Sequence, residues 1–433
     1  MKRLAAVLLL VATSAHADGP GAASQKLTFQ GAIDLSIGRS PEVASAREAV
    51  TGADARTSEQ KARRWVGLNV NAALNRYREA YSLDFAGNAF VLHEALTTTT
   101  VVSLNQPLTG LLYLSALVGA AEHDASSTRD DLERAKLDTA YKTADAYVRV
   151  LAARASATVA HRTVEEIQGG LDRANQLRQA DAYTDIDVLR FRSAKAAADQ
   201  TALRADTAAQ TSLASLTVQL GLPDGTPIEI ADDLPPAPPP LAMSLQQAQD
   251  RALSARPELK AAREKLASYD EQRAAAKWRY FPDIRAVAAW QHFTGVQPFQ
   301  PASEEYVGLT AAWSVWDWGA THDVLLQAES ARSRTEIMTN GLVEQVKLDV
   351  RRRWLETKTQ FDSLAVAEQQ QQTAEEAYRL QKVKLDNAAA TTTDVLDAET
   401  DVARARIGIA TARYDYYLAL VGLARSVGDL PEP

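Results

Sequence analysis

The sequence has 433 residues, of which 46% are hydrophobic and 24% are charged, and its formal net charge is −8. An acidic balance excludes a general nucleic-acid partner, which would need a basic surface. The chain contains no cysteine, and this excludes thiolate metal sites, disulfides and a lipid-modified N-terminal cysteine.

The N-terminus has the pattern of a secretory signal peptide. A charged start is followed by the short apolar run Leu4–Ala12 and by a small-residue cleavage site at Ala15-His16-Ala17. We expect residues 1–17 to be removed, so that the mature chain begins at Asp18. The run is too short for a transmembrane anchor, and no later segment reads as a membrane helix. If this protein enters a membrane, we expect it to do so as strands.

Two short sequence segments each occur twice in the chain, in similar form. Residues 40–48 read SPEVASARE, and residues 256–264 read RPELKAARE, about 216 positions later. A second match, at a spacing of about 207, pairs TDIDVL at 184–189 with TTTDVL at 391–396. Several landmarks in the same order, with similar spacing, predict two copies of one unit.

The two predicted units cover residues 18–222 and 244–430. Residues 223–243 lie between them and include the run Leu234-Pro-Pro-Ala-Pro-Pro-Pro240. Such a run cannot continue a helix and favours a stiff extended linker. Ile228-Glu229-Ile230 indicates one short edge strand in it.

Each unit is predicted to contain one helix before its strands and two long helices after them. Proline is absent from Leu108 to Leu222 and from Ala302 to Leu430, and both stretches are rich in strong helix formers. A helix over 111–178 would extend roughly 100 Å, which no compact globular domain needs. The predicted helices cover residues 28–62, 111–178, 185–220, 244–279, 320–387 and 392–426.

The last of these helices carries a heptad seam. Small and apolar residues recur at alternating spacings of four and three, which indicates helices packed side by side as in a coiled coil. The seam consists of Ala398, Val402, Ala405, Ile409, Ala412, Tyr416, Ala419 and Leu423.

Before the long helices the hydrophobic period changes to two, which is typical of strands. We predict strands at about 65–79, 96–108, 283–293 and 305–316. On the first strand, Asn69, Asn71 and Asn75 lie on the side opposite to the apolar residues. The predicted apolar face of the first and fourth strands includes Val66, Leu68, Val70, Leu74, Val307, Leu309 and Trp313.

Aromatic residues gather at both ends of the predicted strands. Alternating strands of about ten residues with such girdles are typical of a transmembrane β-barrel, whose apolar face contacts lipid. A soluble sheet with one half-buried face shows the same alternation. Four strands cannot close a barrel, and an open edge in lipid leaves backbone groups unpaired. The chain is therefore expected to share its barrel with copies of itself, and three copies would supply twelve strands.

Three motifs make the chain resemble the TolC-like outer membrane efflux proteins over nearly all of its mature length. They are Ser314-Val-Trp-Asp-Trp-Gly319, Asp394-Val-Leu-Asp-Ala398 and Arg413-Tyr-Asp-Tyr-Tyr417. The resemblance implies an α+β membrane protein of two tandem repeats, each a β-hairpin plus long coiled-coil-like helices. It also implies a homotrimer, with a twelve-stranded barrel in the outer membrane continued by an α-helical barrel in the periplasm.

The implied function is a passive exit duct of a tripartite efflux or type I secretion system. The implied partners are a periplasmic adaptor protein and an inner-membrane transporter of the RND or ABC type. A stand-alone diffusion porin and a soluble exported coiled-coil scaffold stay open as alternatives. We expect neither an enzyme nor a cofactor or metal site, because the six histidines form no ligand pair and no Gly-rich phosphate loop follows a strand.

The candidate functional residues are two acidic pairs, Asp185 with Asp187 and Asp394 with Asp397. In Thr184-x-x-Asp187 and Thr391-x-x-Asp394, the threonine fits an N-cap and the acid fits the first turn of the returning helix. The resemblance implies a further role, because the family's matching acids lie where the periplasmic end narrows. Three copies would form a carboxylate ring that favours cations. Asp397 has no capping role and is the stronger gate candidate.

The resemblance also implies that the helix turns dock the adaptor. The family usually has a glycine six residues before the aspartate of each turn, where this sequence has Asp181 and Ala388, and Tyr183 is bulky for a tip. Either the usual small-residue contact is lost or the adaptor is a divergent one. The candidate docking residues are Asp181, Ala182, Tyr183, Thr184, Ala388, Ala389 and Thr391.

Overall fold

A computed structural model describes residues 26–223, 225–235, 238–296, 301–387 and 389–431. The predicted signal peptide and Ala388 lie outside these residues. The fold is mostly helical, with one antiparallel sheet, and the order of elements in the second half repeats that of the first except for one additional strand, β2.

The elements of the first half are α1 (Phe29–Arg39), α2 (Pro41–Ala62), β1 (Gly67–Arg76), β2 (Tyr81–Phe85), β3 (Asn88–Pro107), α3 (Gly110–Gln179) and α4 (Asp185–Gln219). Those of the second half are α5 (Leu245–Ala255), α6 (Pro257–Trp278), β4 (Asp283–Val296), β5 (Ser303–Ala312), α7 (Ala320–Asp386) and α8 (Thr392–Val427). The ends of the four long helices, α3, α4, α7 and α8, lie close to their predicted positions.

The single helices predicted over 28–62 and 244–279 are wrong, because each is two helices. The breaks fall at Ser40 and Arg256, whose ψ angles of 125° and 124° are extended. The proline that follows each of them disfavours the helical region for the residue before it. The same proline is well placed as the first residue of the next helix, where its missing N–H would be unpaired anyway.

The long helices pack as two pairs, α3 with α4 and α7 with α8, and α3 also packs on α6 and α8. At a rise of 1.5 Å per residue, the 70 residues of α3 extend about 105 Å. Five of the eight predicted seam residues of α8, Val402, Ala405, Tyr416, Ala419 and Leu423, are at most 6% exposed. Ala398, Ile409 and Ala412 are only partly buried. In the part of the chain that the structure describes, no helix is both long and apolar enough to cross a bilayer.

The largest core lies where the Pro-rich linker crosses the long helices. The Tyr416 hydroxyl donates to the carbonyl of Pro239 at 2.7 Å, and Arg413 donates to that of Pro235 at 3.1 Å. The Arg413–Tyr417 motif therefore fastens the linker to α8. The short strand predicted at 228–230 is a single parallel bridge between Leu27 and Ile230.

The sheet has the order β1-β3-β4-β5, with every neighbouring pair antiparallel, and β2 pairs with β3 alone. The strand predicted at 96–108 begins earlier, at Asn88, because β2 folds back on it. A two-residue turn with positive φ at Ala86 and Gly87 closes this hairpin. The alternation of Tyr81 and Leu83 with polar residues was the sequence signal for β2, and the prediction missed it.

Two strand ends also differ from the prediction. β4 continues past residue 293 to Val296, and β5 ends at Ala312, short of the predicted 316. Val66 and Trp313 therefore lie just outside β1 and β5. Trp313 leaves the ladder with its indole Nε1 donating to the carbonyl of Tyr280 at 3.2 Å.

Candidate functional site: the sheet and the helix turns

The register of the sheet places most of the large aliphatic residues of four strands on one face, together with Trp290 and Glu305, whereas Val101, Val287, Phe293 and Tyr306 lie on the other. Residues directly opposite each other in an antiparallel ladder point to the same side, so the face can be followed from β1 to β5. It carries Leu68, Val70, Leu74, Val102, Leu104, Ala288, Trp290, Val307 and Leu309. The other face is more polar and carries Asn69, Asn71, Asn75, Thr99, Ser103, Asn105, Gln291 and Glu304.

The seven residues predicted to face lipid are exposed in the protomer. Their exposed fractions range from 52% for Val66 to 86% for Val307. Soluble monomeric proteins rarely expose a contiguous apolar surface of this kind. The face therefore needs an apolar environment that the chain itself does not supply.

Both outer edges of the sheet are open. Within the described residues β1 pairs only with β3, and β5 pairs only with β4. Each edge presents a row of unpaired backbone groups, which is a template for pairing with another chain. The sheet of one protomer is therefore incomplete by itself.

The first helix turn joins α3 to α4 and begins with a Schellman motif. The N–H of Asp181 donates to the carbonyl of Arg178 at 3.1 Å, and that of Ala182 donates to Leu177 at 2.8 Å. Such a motif needs a residue in the left-handed region, usually glycine, and Asp181 adopts it with φ of 55°. An aspartate thus occupies a backbone position that favours glycine. Tyr183 follows and packs against a small apolar cluster with Leu396.

Asp187 completes the first turn and also reaches the second. Its Oδ2 accepts hydrogen bonds from the N–H and the hydroxyl of Thr184, at 3.0 and 2.7 Å, while its own N–H donates back to Thr184 Oγ1. Its Oδ1 accepts a 2.7 Å hydrogen bond from Thr392, at the start of α8. The hydroxyls of Thr184 and Thr392 hold the pKa of Asp187 below its ordinary value. The predicted capping role is confirmed, and the bond to Thr392 is new.

Asp185 is also engaged. Its Oδ1 accepts a 2.7 Å hydrogen bond from Arg178 Nε, and this contact lowers the pKa of the carboxyl. Asp185 therefore points back to the end of α3 and forms an ion pair across the first turn. Of the four acids predicted for the gate, the two in the first half are both held by partners.

The second turn leads into α8 with the same cap. Asp394 Oδ2 accepts from the N–H and the hydroxyl of Thr391, each at 2.7 Å, and the backbone N–H is the main cause of its lowered pKa. The predicted capping role of Asp394 is confirmed. Asp397 is exposed, and no described residue forms a hydrogen bond or ion pair with it. It lines a groove between α7 and α8 together with Asp394 and Asp401.

The family model for outer membrane efflux proteins matches residues 32–222 and 248–429 of this sequence. The chain belongs to the outer membrane efflux protein family. Membership identifies a TolC-like efflux channel of the outer membrane, and the family is a class of channels rather than of enzymes. In a comparison with curated proteins, none matches this sequence.

Solved structures share the fold of this efflux protein at low sequence identity. A membrane protein from Pseudomonas aeruginosa is 18% identical with a TM-score of 0.79, over 93% of this chain and 90% of that chain. VceC from Vibrio cholerae, an outer membrane protein, is 16% identical with a TM-score of 0.77, over 93% and 97%. CusC, a protein that forms a transmembrane channel, is 14% identical with a TM-score of 0.78, over 94% and 93%. At these identities the likeness concerns the fold alone.

The Ser314–Gly319 motif of the efflux protein has a structural role at the base of the sheet. Asp317 caps α7 by accepting from the N–H and the hydroxyl of Thr321, at 2.9 and 2.6 Å. Trp316 and Trp318 flank this acid and are 76% and 89% exposed. The motif thus starts a long helix and presents two exposed indoles between β5 and α7.

Proposed function

We propose that three copies of this chain form the exit duct of a tripartite efflux or type I secretion system. The observation that carries the proposal is the sheet with two open edges and one exposed apolar face. β1 and β5 run in opposite directions, so β5 of one copy can pair antiparallel with β1 of the next. Each copy adds four strands to the ring, and three copies give a barrel of twelve strands with a lumen.

The surfaces of the long helices support the same assembly. Leu203 and Val218 on α4 and Leu348 and Val366 on α7 are each between 64% and 68% exposed. The helices of one protomer leave these side chains uncovered, and neighbouring copies would cover them. Packing in a closed ring continues the conduit below the membrane as a helical barrel.

The proposed placement runs from the outer membrane to the periplasm. Residues 1–17 would direct export and be cleaved after Ala17, and the chain would carry no lipid because it has no cysteine. The turns at 181–184 and 389–391, with Ala388, would meet the periplasmic adaptor. An inner-membrane transporter of the RND or ABC type would drive the flow, since the channel contains no energy source of its own.

The gate of this duct is proposed to be formed by Asp394 and Asp397 of the three copies. Six carboxylates in a narrow cross-section would favour cations and oppose anions. Asp397 suits this role because its carboxylate is exposed and is not held by another described residue. Asp185 and Asp187 are next in order, because Arg178 pairs with Asp185 and both oxygens of Asp187 accept from threonine hydroxyls, whereas only Oδ2 of Asp394 does.

Disulfide trapping tests the assembly. The chain has no cysteine, so cysteine can be placed at Asn71 on β1 and, in turn, at Glu304, Tyr306, Gly308 or Thr310 on β5. Two cysteines bridge only when their Cα atoms are within about 7 Å. In one protomer β3 and β4 separate these strands. Any disulfide in this panel therefore joins two copies, and we expect linked dimers and trimers in outer-membrane fractions.

A matched control places the second cysteine at Val101, which lies opposite Asn71 within the same protomer. This pair should give only monomers on a non-reducing gel. Recovery of the full panel as soluble, unlinked protein from the periplasm would refute the barrel. Drug or protein export in a deletion strain then separates a pump-driven duct from a stand-alone porin, because only the duct loses export when the adaptor is removed.

A further inference from the structure

A buried acid lies on α8 two residues beyond Asp397. Glu399 is 4% exposed, and its Oε1 contacts no hydrogen-bond donor among the residues that the structure describes. Its carboxyl interacts with the charges of Glu166 on α3 and Lys382 on α7, and both helices pack on α8. An unpaired carboxylate in such a place costs free energy, and neutralisation by a proton removes most of that cost.

Arg406 is one of two basic groups whose charge acts on Glu399, and it is already engaged in ion pairs. Arg406 of α8 donates to Glu166 of α3 at 2.8 Å and to Glu375 of α7 at 3.1 Å. These two ion pairs bind three helices together. Tyr378 and Lys382 of α7 also interact with Glu399, and Arg162 of α3 pairs with Glu166.

Burial, and then the charge of Glu166, raise the pKa of Glu399 from 4.5 to about 7, against smaller opposite effects of Lys382 and Arg406. Burial, and then the carboxylates of Glu399 and Glu166, raise the pKa of Tyr378 to about 12. Its hydroxyl therefore stays protonated throughout the neutral range. Glu399 is therefore the member of this cluster that changes charge near neutral pH.

We propose that Glu399 is a pH-sensitive switch for the packing of α8 against α3 and α7. Protonated Glu399 is compatible with its buried position and keeps the three helices packed. Ionised Glu399 favours a looser arrangement in which water reaches the carboxylate. Since Asp397 lies on the same turn of α8, loosening would also displace the carboxylate ring. Displacement of the carboxylate ring would change the current through the channel, and this part rests on the proposed channel function. The change in helix packing does not.

The direction with pH follows from proton binding. The packed arrangement binds the proton more tightly than a hydrated carboxylate does, so its extra stability is complete below pH 4.5 and is lost as the pH rises through 7. Between pH 5 and pH 7 the equilibrium for local opening should therefore increase on the order of tenfold or more. High pH loosens the helices, and low pH packs them.

Hydrogen exchange measured by mass spectrometry tests the switch in the intact, detergent-solubilised protein. Peptides covering residues 392–410 are followed at pH 5 and pH 7, after correction for the chemical exchange rate. In the wild type we expect the corrected equilibrium constant for local opening to rise on the order of tenfold or more between pH 5 and pH 7. Glu399→Gln, which has the shape of the protonated acid, should hold the low-pH value at both pH values.

The matched control is Glu376→Gln, which neutralises an exposed glutamate of α7 paired with Arg379. It should leave the wild-type pH response unchanged. Glu166→Gln removes the carboxylate that raises the pKa of Glu399 and should move the midpoint of the response to lower pH. An undiminished pH response in Glu399→Gln would overturn the proposal, as would a midpoint that stays in place in Glu166→Gln. Neither readout requires current, so a failure of the switch is distinguishable from a failure of the channel function.

Discussion

The two halves of the chain use the same cap at their helix turns but leave their acids in different states. In the first half, Asp187 binds Thr184 and Thr392, and Asp185 binds Arg178. In the second half, Asp394 binds only Thr391 among the described residues, and Asp397 has no partner among them.

This difference shows that the two copies of a repeated motif can have different roles. The first turn is tied to the second by one hydrogen bond and by the apolar cluster around Phe191, which packs with Leu396. Its acids stabilise the structure. The second turn keeps a carboxylate free, which suits a role in the permeation path. The aligned sequences already differ at these positions, because Asp185 corresponds to Thr392 and Asp397 corresponds to Arg190. They do not show which carboxylates have partners.

The largest expected effect tests whether the two hairpins are equivalent. Leu68→Arg on β1 and Leu309→Arg on β5 should each lower the free energy of unfolding by about 2–4 kcal/mol if the residue lies near the bilayer midplane. Tryptophan fluorescence during urea unfolding in lipid vesicles measures this. Asn69→Arg, on the opposite face, is the control and should have little effect. Equal losses at Leu68 and Asn69 would show that the inward and outward faces are assigned the wrong way round.

The next largest expected effect compares how much the caps of α4 and α8 contribute to the free energy of unfolding. Asp187→Ala removes the cap and the bond between the turns, so it should lower the free energy of unfolding by about 1–2 kcal/mol. Asp394→Ala removes the cap alone and should cost less. Thermal melts by circular dichroism compare the two, and Thr392→Val isolates the bond between the turns. A larger loss for Asp394→Ala would contradict the assignment.

The cap contribution of Asp187 also has a defined pH dependence. Because its folded pKa is lowered, its stabilisation is present above the ordinary value of 3.8 and is lost as the pH falls through the folded pKa. The difference in melting temperature between the wild type and Asp187→Ala should therefore shrink below about pH 4. A difference that persists at pH 2 would assign the effect to packing rather than to the carboxylate.

The third comparison concerns charge selectivity. Asp397→Ala removes three charges from the proposed constriction without loss of a cap, so we expect weaker preference for cations and intact assembly. Reversal potentials across a salt gradient in a planar bilayer measure the preference. The matched control is the double variant Arg178→Gln with Asp185→Asn, which removes the ion pair of the first turn without changing the net charge. An unchanged reversal potential in Asp397→Ala would place the constriction at Asp185 and Asp187 instead.

The smallest effect concerns the end of α3. Gly221 and Gly428 follow α4 and α8 with φ of 68° and 90°, whereas Asp181 follows α3 with φ of 55°. Asp181→Gly should raise the free energy of unfolding by about 0.5 kcal/mol, since glycine adopts this region without strain. Asp181→Ala, which keeps a Cβ, should give no gain. A loss of stability in the glycine variant would mean that the ion pair of Asp181 with Arg178, at 3.5 Å, outweighs the backbone strain.

Local patterns in the sequence determined much of this protein. Long proline-free stretches predicted the long helices, because helix propensity acts residue by residue. Period-two alternation predicted which residues of β1 and β5 share a face, because side-chain direction is set by the strand itself. The Thr-x-x-Asp caps were predictable for the same reason, since donor and acceptor are three residues apart. The two helix breaks, at Ser40 and Arg256, also depend on local sequence, because a proline follows each of them. The prediction missed both.

Only the tertiary structure decided which acids are free. Asp187 meets Thr392 across 205 residues of sequence, and Arg406 meets Glu166 across 240. No spacing rule joins such residues, because their distance is set by how α8 packs against the first pair of helices. Glu399 shows the same dependence most clearly. A glutamate on a polar-looking stretch of helix is an ordinary exposed acid by sequence, and packing alone buries it beside another carboxylate and shifts its proton affinity toward neutral pH.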